Sequence, residues 1–169
     1  MPYASTEEHG AARVLHLLCD ISAAIGCLIL LGMAGITVVS VVGRALFAAP
    51  IQGDVELVQL GGAVCVACFL PFTQFKGANI IVDFFTQNVR ERTRSRLDAL
   101  GTGLYAAVLA LICWRVAAGG IVAHENGETS MLMALPIWIA YAAMLPGLAL
   151  SAVVGLWQTA GHLRTASAS

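Results

Sequence analysis

Few residues in this chain could do chemistry, and their spacing argues against most of it. His124-Glu125 opens like a zinc-protease motif, but the residue four after His124 is Glu128, and that motif needs two imidazoles on one helix face. The stretch holding it, HENGETS, reads as a loop with Gly127 as breaker. Cys65-Val-Ala-Cys68 has redox-pair spacing but sits mid-run among apolar residues, where a thiol behaves as a small inert hydrophobe. Cys19, Cys27 and Cys113 complete a set of five that implies no disulfide framework. His9, His16, His124 and His162 all fall outside the apolar runs, so no axial haem ligand stands between apolar helices. No Ser-His-Asp set, phosphate-binding glycine loop or paired catalytic carboxylate can be assembled. The expectation is no enzyme, with no catalytic, cofactor or metal site.

The elements that would have to position such groups belong to a membrane. Of 169 residues, 59% are hydrophobic and 11% charged, against about 25% charged in soluble domains. A mean hydropathy of +0.83 excludes a water-soluble enzyme and a disordered chain. A net charge of −1 gives no basic excess for nucleic acid. Uncharged runs cover 21–43, 57–75, 99–114 and, past Arg115, 116–123, then 130–161. A spanning helix needs about 20 residues, and these runs lack the alternation of barrel strands. The fold expected is all-α and integral to the membrane, with four helices at about 17–43, 57–75, 99–123 and 134–157. A polar tail covers 1–16, the membrane domain 17–160, and a second tail 161–169. The first run exceeds the about 7–15 residues of a signal-peptide core, and Glu7 and Glu8 precede it beside a single Arg13, so it reads as a retained helix.

Charge sets the orientation. Lys76, Arg90, Arg92, Arg94 and Arg96 occupy the second connection; with Arg13 and Arg164 they put seven cations on one side, against Arg44 and Arg115 on the other. The positive-inside rule makes both termini cytoplasmic, with Asp54, Glu56, Glu125 and Glu128 outside. Ile81, Phe84, Phe85 and Val89 recur at helical spacing before the arginines, the pattern of an amphipathic helix lying in the cytoplasmic interface; the same arginines could instead serve topology alone. Leaving Arg115 aside, the apolar runs hold no ionisable group, although such groups mark ion paths and proton relays. A helix starting near Ala99 puts Arg115 within roughly one turn of the outer boundary, from where it either snorkels or turns to a partner. In the last helix Thr129 or Ser130 is a candidate N-cap, Pro136 suits the first turn and Pro146 should kink the helix. Gly147, Ser151 and Gly155 form a stripe that allows close helix packing, within the chain or against another subunit.

Three ordered stretches carry a resemblance. Arg44 closes the first helix, and Gly53-Asp-Val-Glu56-Leu opens the second. Phe75-Lys76-Gly77-Ala78-Asn79-Ile80-Ile81-Val82-Asp83 follows it. The third set is Gly127-Glu128-Thr129-Ser130, Leu135-Pro136-Ile137-Trp138, Tyr141 and Pro146-Gly147. Together, over about residues 17–160, they resemble the small membrane subunit of tripartite ATP-independent periplasmic (TRAP) transporters. The chain departs from the common pattern where Gln52-Gly53-Asp54 replaces an aromatic before Glu56, and where Asn79 replaces a frequent histidine. The resemblance implies a bacterial inner-membrane complex importing an organic anion, usually a carboxylate, on a sodium gradient. The small subunit, itself without cofactor, would anchor a large polytopic membrane subunit among membrane lipids and help dock a periplasmic substrate-binding protein. Arg44, Asp54 and Glu56 then become candidates for the docking surface. Lys76, Asn79, Asp83, Pro136, Trp138 and Tyr141 become candidates for large-subunit or interfacial contacts. Three other readings stand beside it: the four-helix small subunit of a tripartite tricarboxylate transporter, a homo-oligomeric channel or exporter, and a membrane redox subunit.

Overall fold

A computed structural model describes residues 4–47, 52–76 and 91–168. Its elements are four helices: α1 (Ala4–Phe47), α2 (Asp54–Phe75), α3 (Glu91–Glu125) and α4 (Trp138–Ala168). Each contains a stretch long and apolar enough to cross a bilayer. Among the described residues the only β-type pairing is an isolated bridge between Thr129 and Pro136.

α1, α2 and α3 extend beyond their apolar runs. α1 is helical from Ala4, through residues read above as a polar tail, with His16 and Asp20 paired at 2.8 Å one turn apart. α4 likewise continues past 160 to Ala168 and runs through Pro146 as one helix. Residues 91–98, expected in an interfacial helix, are the first turns of α3. The core of that expected helix, with Asn79 and Asp83, lies outside the described residues.

Helix ends follow local chemistry. α3 extends to Glu125, so His124 and Glu125 are helical rather than part of a loop. It stops in a Schellman motif: Glu128 N–H donates to Ala123 O (2.9 Å) and Gly127 N–H to His124 O (3.2 Å). Gly127 takes φ 63°, which costs glycine little. Gly53 precedes α2 at φ 81°, which favours glycine, and a β-carbon there would also displace the Met133 side chain.

The helices pack as an open row in the order α1, α2, α4, α3. Contacts are extensive between α3 and α4, α1 and α2, and α2 and α4, while α1 barely touches α4. Lipid supplies no hydrophobic drive between helices, so association rests on close approach and interhelical hydrogen bonds. Gly147 on α4 gives the closest approach. A β-carbon there would lie 2.7 Å from the Ala67 carbonyl carbon on α2. Pro71, inside α2, has no N–H to offer the Ala67 carbonyl one turn back. The freed oxygen therefore faces the Gly147 Cα–H, a weak donor suited to it. The stripe is divided between two neighbours: Gly147 meets α2, whereas Ser151 shares a 3.0 Å hydrogen bond with Tyr105 on α3 and Gly155 abuts Ala106. Ala67, Leu109, Leu148 and Ala152 form the small buried core at this junction.

Candidate functional site

The most organised polar structure stands at the end of the row where α2 begins, here the acidic end. Residues 128–137 fold back on themselves, with Ser130 N–H donating to Leu135 O (2.8 Å) and Ile137 N–H to Glu128 O (3.1 Å). The Glu56 carboxylate reaches into this fold from the first turn of α2. One oxygen accepts from Ser130 Oγ (2.7 Å) and Met133 N–H (3.2 Å), the other from Leu132 N–H (2.9 Å). Charged acceptors make the stronger hydrogen bonds, so one side chain fixes the path of the whole segment. This pinning explains two departures from the sequence reading. Ser130 serves Glu56 and the Leu135 N–H (3.3 Å) rather than capping a helix, and α4 starts at Trp138, beyond Pro136. The tip of the segment is apolar and outward, with Met131 99% exposed and Leu132 and Met133 beside it.

Asp54 performs the matching task on the other side of α2. Its carboxylate accepts from Ser40 Oγ on α1 and from the Val55 N–H, with Ser40 itself buried. Asp54 and Glu56 thus tie the start of α2 to α1 and to the α3–α4 connection respectively. Arg44, in the last turn of α1, is exposed; among the described residues no acid lies within 4 Å of it, and its charge acts on the nearby Asp54 carboxylate.

The other predicted residues contact the chain itself. Trp138 meets the His124 ring edge-on at 5.1 Å. Tyr141 packs against Gly119 and Gly120 on α3. Pro136, half-buried, lines an open apolar groove of about 280 Å³ with Ile29, Leu57, Gly61 and Ile139. Lys76 lies 4.5 Å from the centre of the Phe72 ring, a cation–π contact.

Sequence reasoning missed the polar pair at the opposite end. Gln74 Nε2 donates to Gln158 Oε1 (2.8 Å), and Gln158 Nε2 donates to the Gln74 carbonyl (2.9 Å). Gln74 is only 4% exposed. Two glutamines inside otherwise apolar runs were the available signal, since buried amides in lipid need partners. Around them Thr159 donates to Thr102 (3.1 Å), and Phe75 stacks on Trp157 and meets His16 edge-on. Ser22 Oγ donates to the Cys68 carbonyl (2.8 Å). Among the described residues no cluster of three or more His, Cys, Asp or Glu could hold a metal ion.

Four long apolar helices in an open row, tied together by neutral hydrogen bonds and an acidic clamp at one end, define a multi-pass membrane protein built for packing. The family model described as "Tripartite ATP-independent periplasmic transporters, DctQ component" matches residues 33–165. That is 133 of 169 residues, and the chain belongs to this family. It is therefore a small subunit of a TRAP transporter, a transport component and not an enzyme. The family works as a tripartite complex with a large membrane subunit and a binding protein. No curated protein and no solved structure matches the chain.

Proposed function

We propose that this subunit is a scaffold. It holds the large transport subunit in a bacterial inner membrane and presents its acidic end to a periplasmic binding protein, while the complex imports an organic carboxylate on a sodium gradient. The observation that carries the reading is the open row. A protein with its own transport path would bury its helices around a central site. Here each helix packs along a line, and large apolar side chains such as Leu28, Leu31, Val66, Leu100 and Trp114 remain exposed. Surfaces of that extent suit lipid and a second polytopic protein equally.

The lysine and arginine asymmetry supports an orientation with the acidic end in the periplasm. In that frame the docking surface consists of the exposed Arg44 guanidinium and the Met131-Leu132 tip. Glu56 and Asp54 act on docking indirectly by holding that tip and α1 in place. Neither the row nor the clamp calls for a cofactor in this chain.

Affinity purification of the tagged subunit from native membranes, followed by mass spectrometry and uptake in proteoliposomes, tests this reading. Stoichiometric recovery of a larger polytopic protein, with uptake that needs sodium and an added binding protein, is the expected result. Recovery of a homo-oligomer that transports alone overturns it. Arg44→Glu should lower uptake while leaving recovery of the large subunit intact; a variant with unchanged uptake removes Arg44 from the docking surface.

A further inference from the structure

The clearest unexplained charge in the molecule is Arg115. It is exposed on α3, and among the described residues no acid lies within 4 Å of it. Its depth follows from packing register. Gly155 abuts Ala106 and Tyr141 abuts Gly119 and Gly120, so in the antiparallel α3–α4 pair Arg115 lies level with Pro146 and Gly147. Gly147 in turn touches Ala67 on α2. Ala67 is eleven residues from Glu56 and seven from Gln74, about 16 Å and 10 Å at 1.5 Å per residue. The interval between those two polar levels is about 27 Å, close to the about 30 Å of a hydrocarbon core. Arg115 is therefore near the middle of the membrane, not within a turn of its edge as the sequence alone placed it. Ten residues, about 15 Å, separate it from the end of α3 at Glu125.

A cation at that depth is costly unless paired, because neither interface is within reach without thinning the bilayer. Among the described residues there is no counter-charge at that level. Glu91 and Asp98 share the helix but are seventeen or more residues away, about 25 Å or more. Arg115 also has a defined setting. Leu104, Val108, Leu111 and Val122, spaced by three, four or seven residues from one another or from Arg115, fall on its face of α3 and are exposed. α3 is the edge of the row, and α4 covers its opposite side.

We propose that this stripe is the seat of a transmembrane helix of the large subunit, and that Arg115 pairs there with an acidic side chain of that helix. The inference rests on the scaffold reading above and names the face and the charge through which it works. A single ion pair in an apolar seam fixes register as well as attraction, since a slipped helix leaves both charges unpaired in lipid. Arginine suits the task because its fork can bind a carboxylate with two parallel hydrogen bonds.

The test uses the whole complex in native membranes. A photo-crosslinking amino acid at Leu111 or Val122 should capture the large subunit. Arg115→Leu should cut its recovery with the tagged chain by at least about tenfold, and Arg115→Lys, which keeps the charge but not the fork, should recover more than Arg115→Leu and less than the unaltered chain. Arg115→Leu removes a charge from a face that no helix among the described residues covers, so the subunit should keep its helical circular dichroism. Arg115→Glu should regain the partner when the opposing acid is changed to arginine. If the unaltered chain recovers no larger polytopic protein, the scaffold reading and this inference both fall. If it recovers that protein, but Arg115→Leu recovers it equally and Leu111 cross-links only phospholipid, this inference alone falls and the guanidinium belongs to lipid phosphate.

Discussion

Gly147→Ala is the sharpest single perturbation of this fold. The added methyl would lie 2.7 Å from the Ala67 carbonyl carbon and closer still to its oxygen. Carbon pairs pack best at about 3.5–4.0 Å, so α2 and α4 must separate locally by roughly 1 Å. Overpacking of this kind costs about 1–3 kcal/mol. Alanine's better helix propensity offsets up to about 1 kcal/mol of that, leaving a net loss of about 0–2 kcal/mol. Gly62→Ala is the internal control. It lies on α2 like Ala67, but nothing is within 4 Å of a β-carbon there, so the propensity gain of up to about 1 kcal/mol is unopposed. The propensity gain is common to both, so the two variants should differ by the overpacking cost, about 1–3 kcal/mol, roughly 5- to 150-fold in the unfolding equilibrium. Unfolding of the purified subunit in mixed micelles, titrated with a denaturing detergent and followed by circular dichroism, measures the difference. A Gly147→Ala protein at least as stable as Gly62→Ala would refute the close α2–α4 contact and the role of Pro71 in exposing the Ala67 carbonyl.

Three further outcomes follow from the polar contacts. Glu56→Ala should speed hydrogen exchange at the Leu132 and Met133 amides on the order of tenfold while leaving the Glu128 amide, bonded to Ala123 O, unchanged; equal rates in both proteins would mean the carboxylate does not hold the segment. Gln74→Leu should destabilise the subunit by about 0.6–2 kcal/mol by leaving Gln158 Oε1 without its donor, while Gln158 Nε2 keeps the backbone carbonyl of residue 74; an unchanged midpoint in the same unfolding titration would show that the side-chain pair adds no stability. Gly53→Ala, which forces a side chain into a left-handed backbone and against Met133, should lower stability by about 1–3 kcal/mol; an unchanged midpoint would show that the α2 start adopts another conformation.

The number and class of the helices were legible because both depend on local properties. A run of about 20 apolar residues must span a bilayer as a helix whatever its neighbours do. The close-packing stripe at Gly147, Ser151 and Gly155 and the stop at Gly127 were legible for the same reason. Small side chains and a left-handed backbone preference belong to the residues themselves. Which face of each helix meets which neighbour was not legible. In lipid the packed and exposed faces are both apolar, so periodicity does not separate them as it does in water. Only the tertiary structure decides the row order α1, α2, α4, α3 and the division of the stripe between two partners. It alone turns Asp54 and Glu56 from candidate docking charges into a clamp on Ser40 and the 128–137 segment. It alone brings Gln74 to Gln158 and sets Arg115 level with the α2–α4 contact at Gly147, because a polar group's partner and a helix's register are fixed by packing between segments distant in sequence.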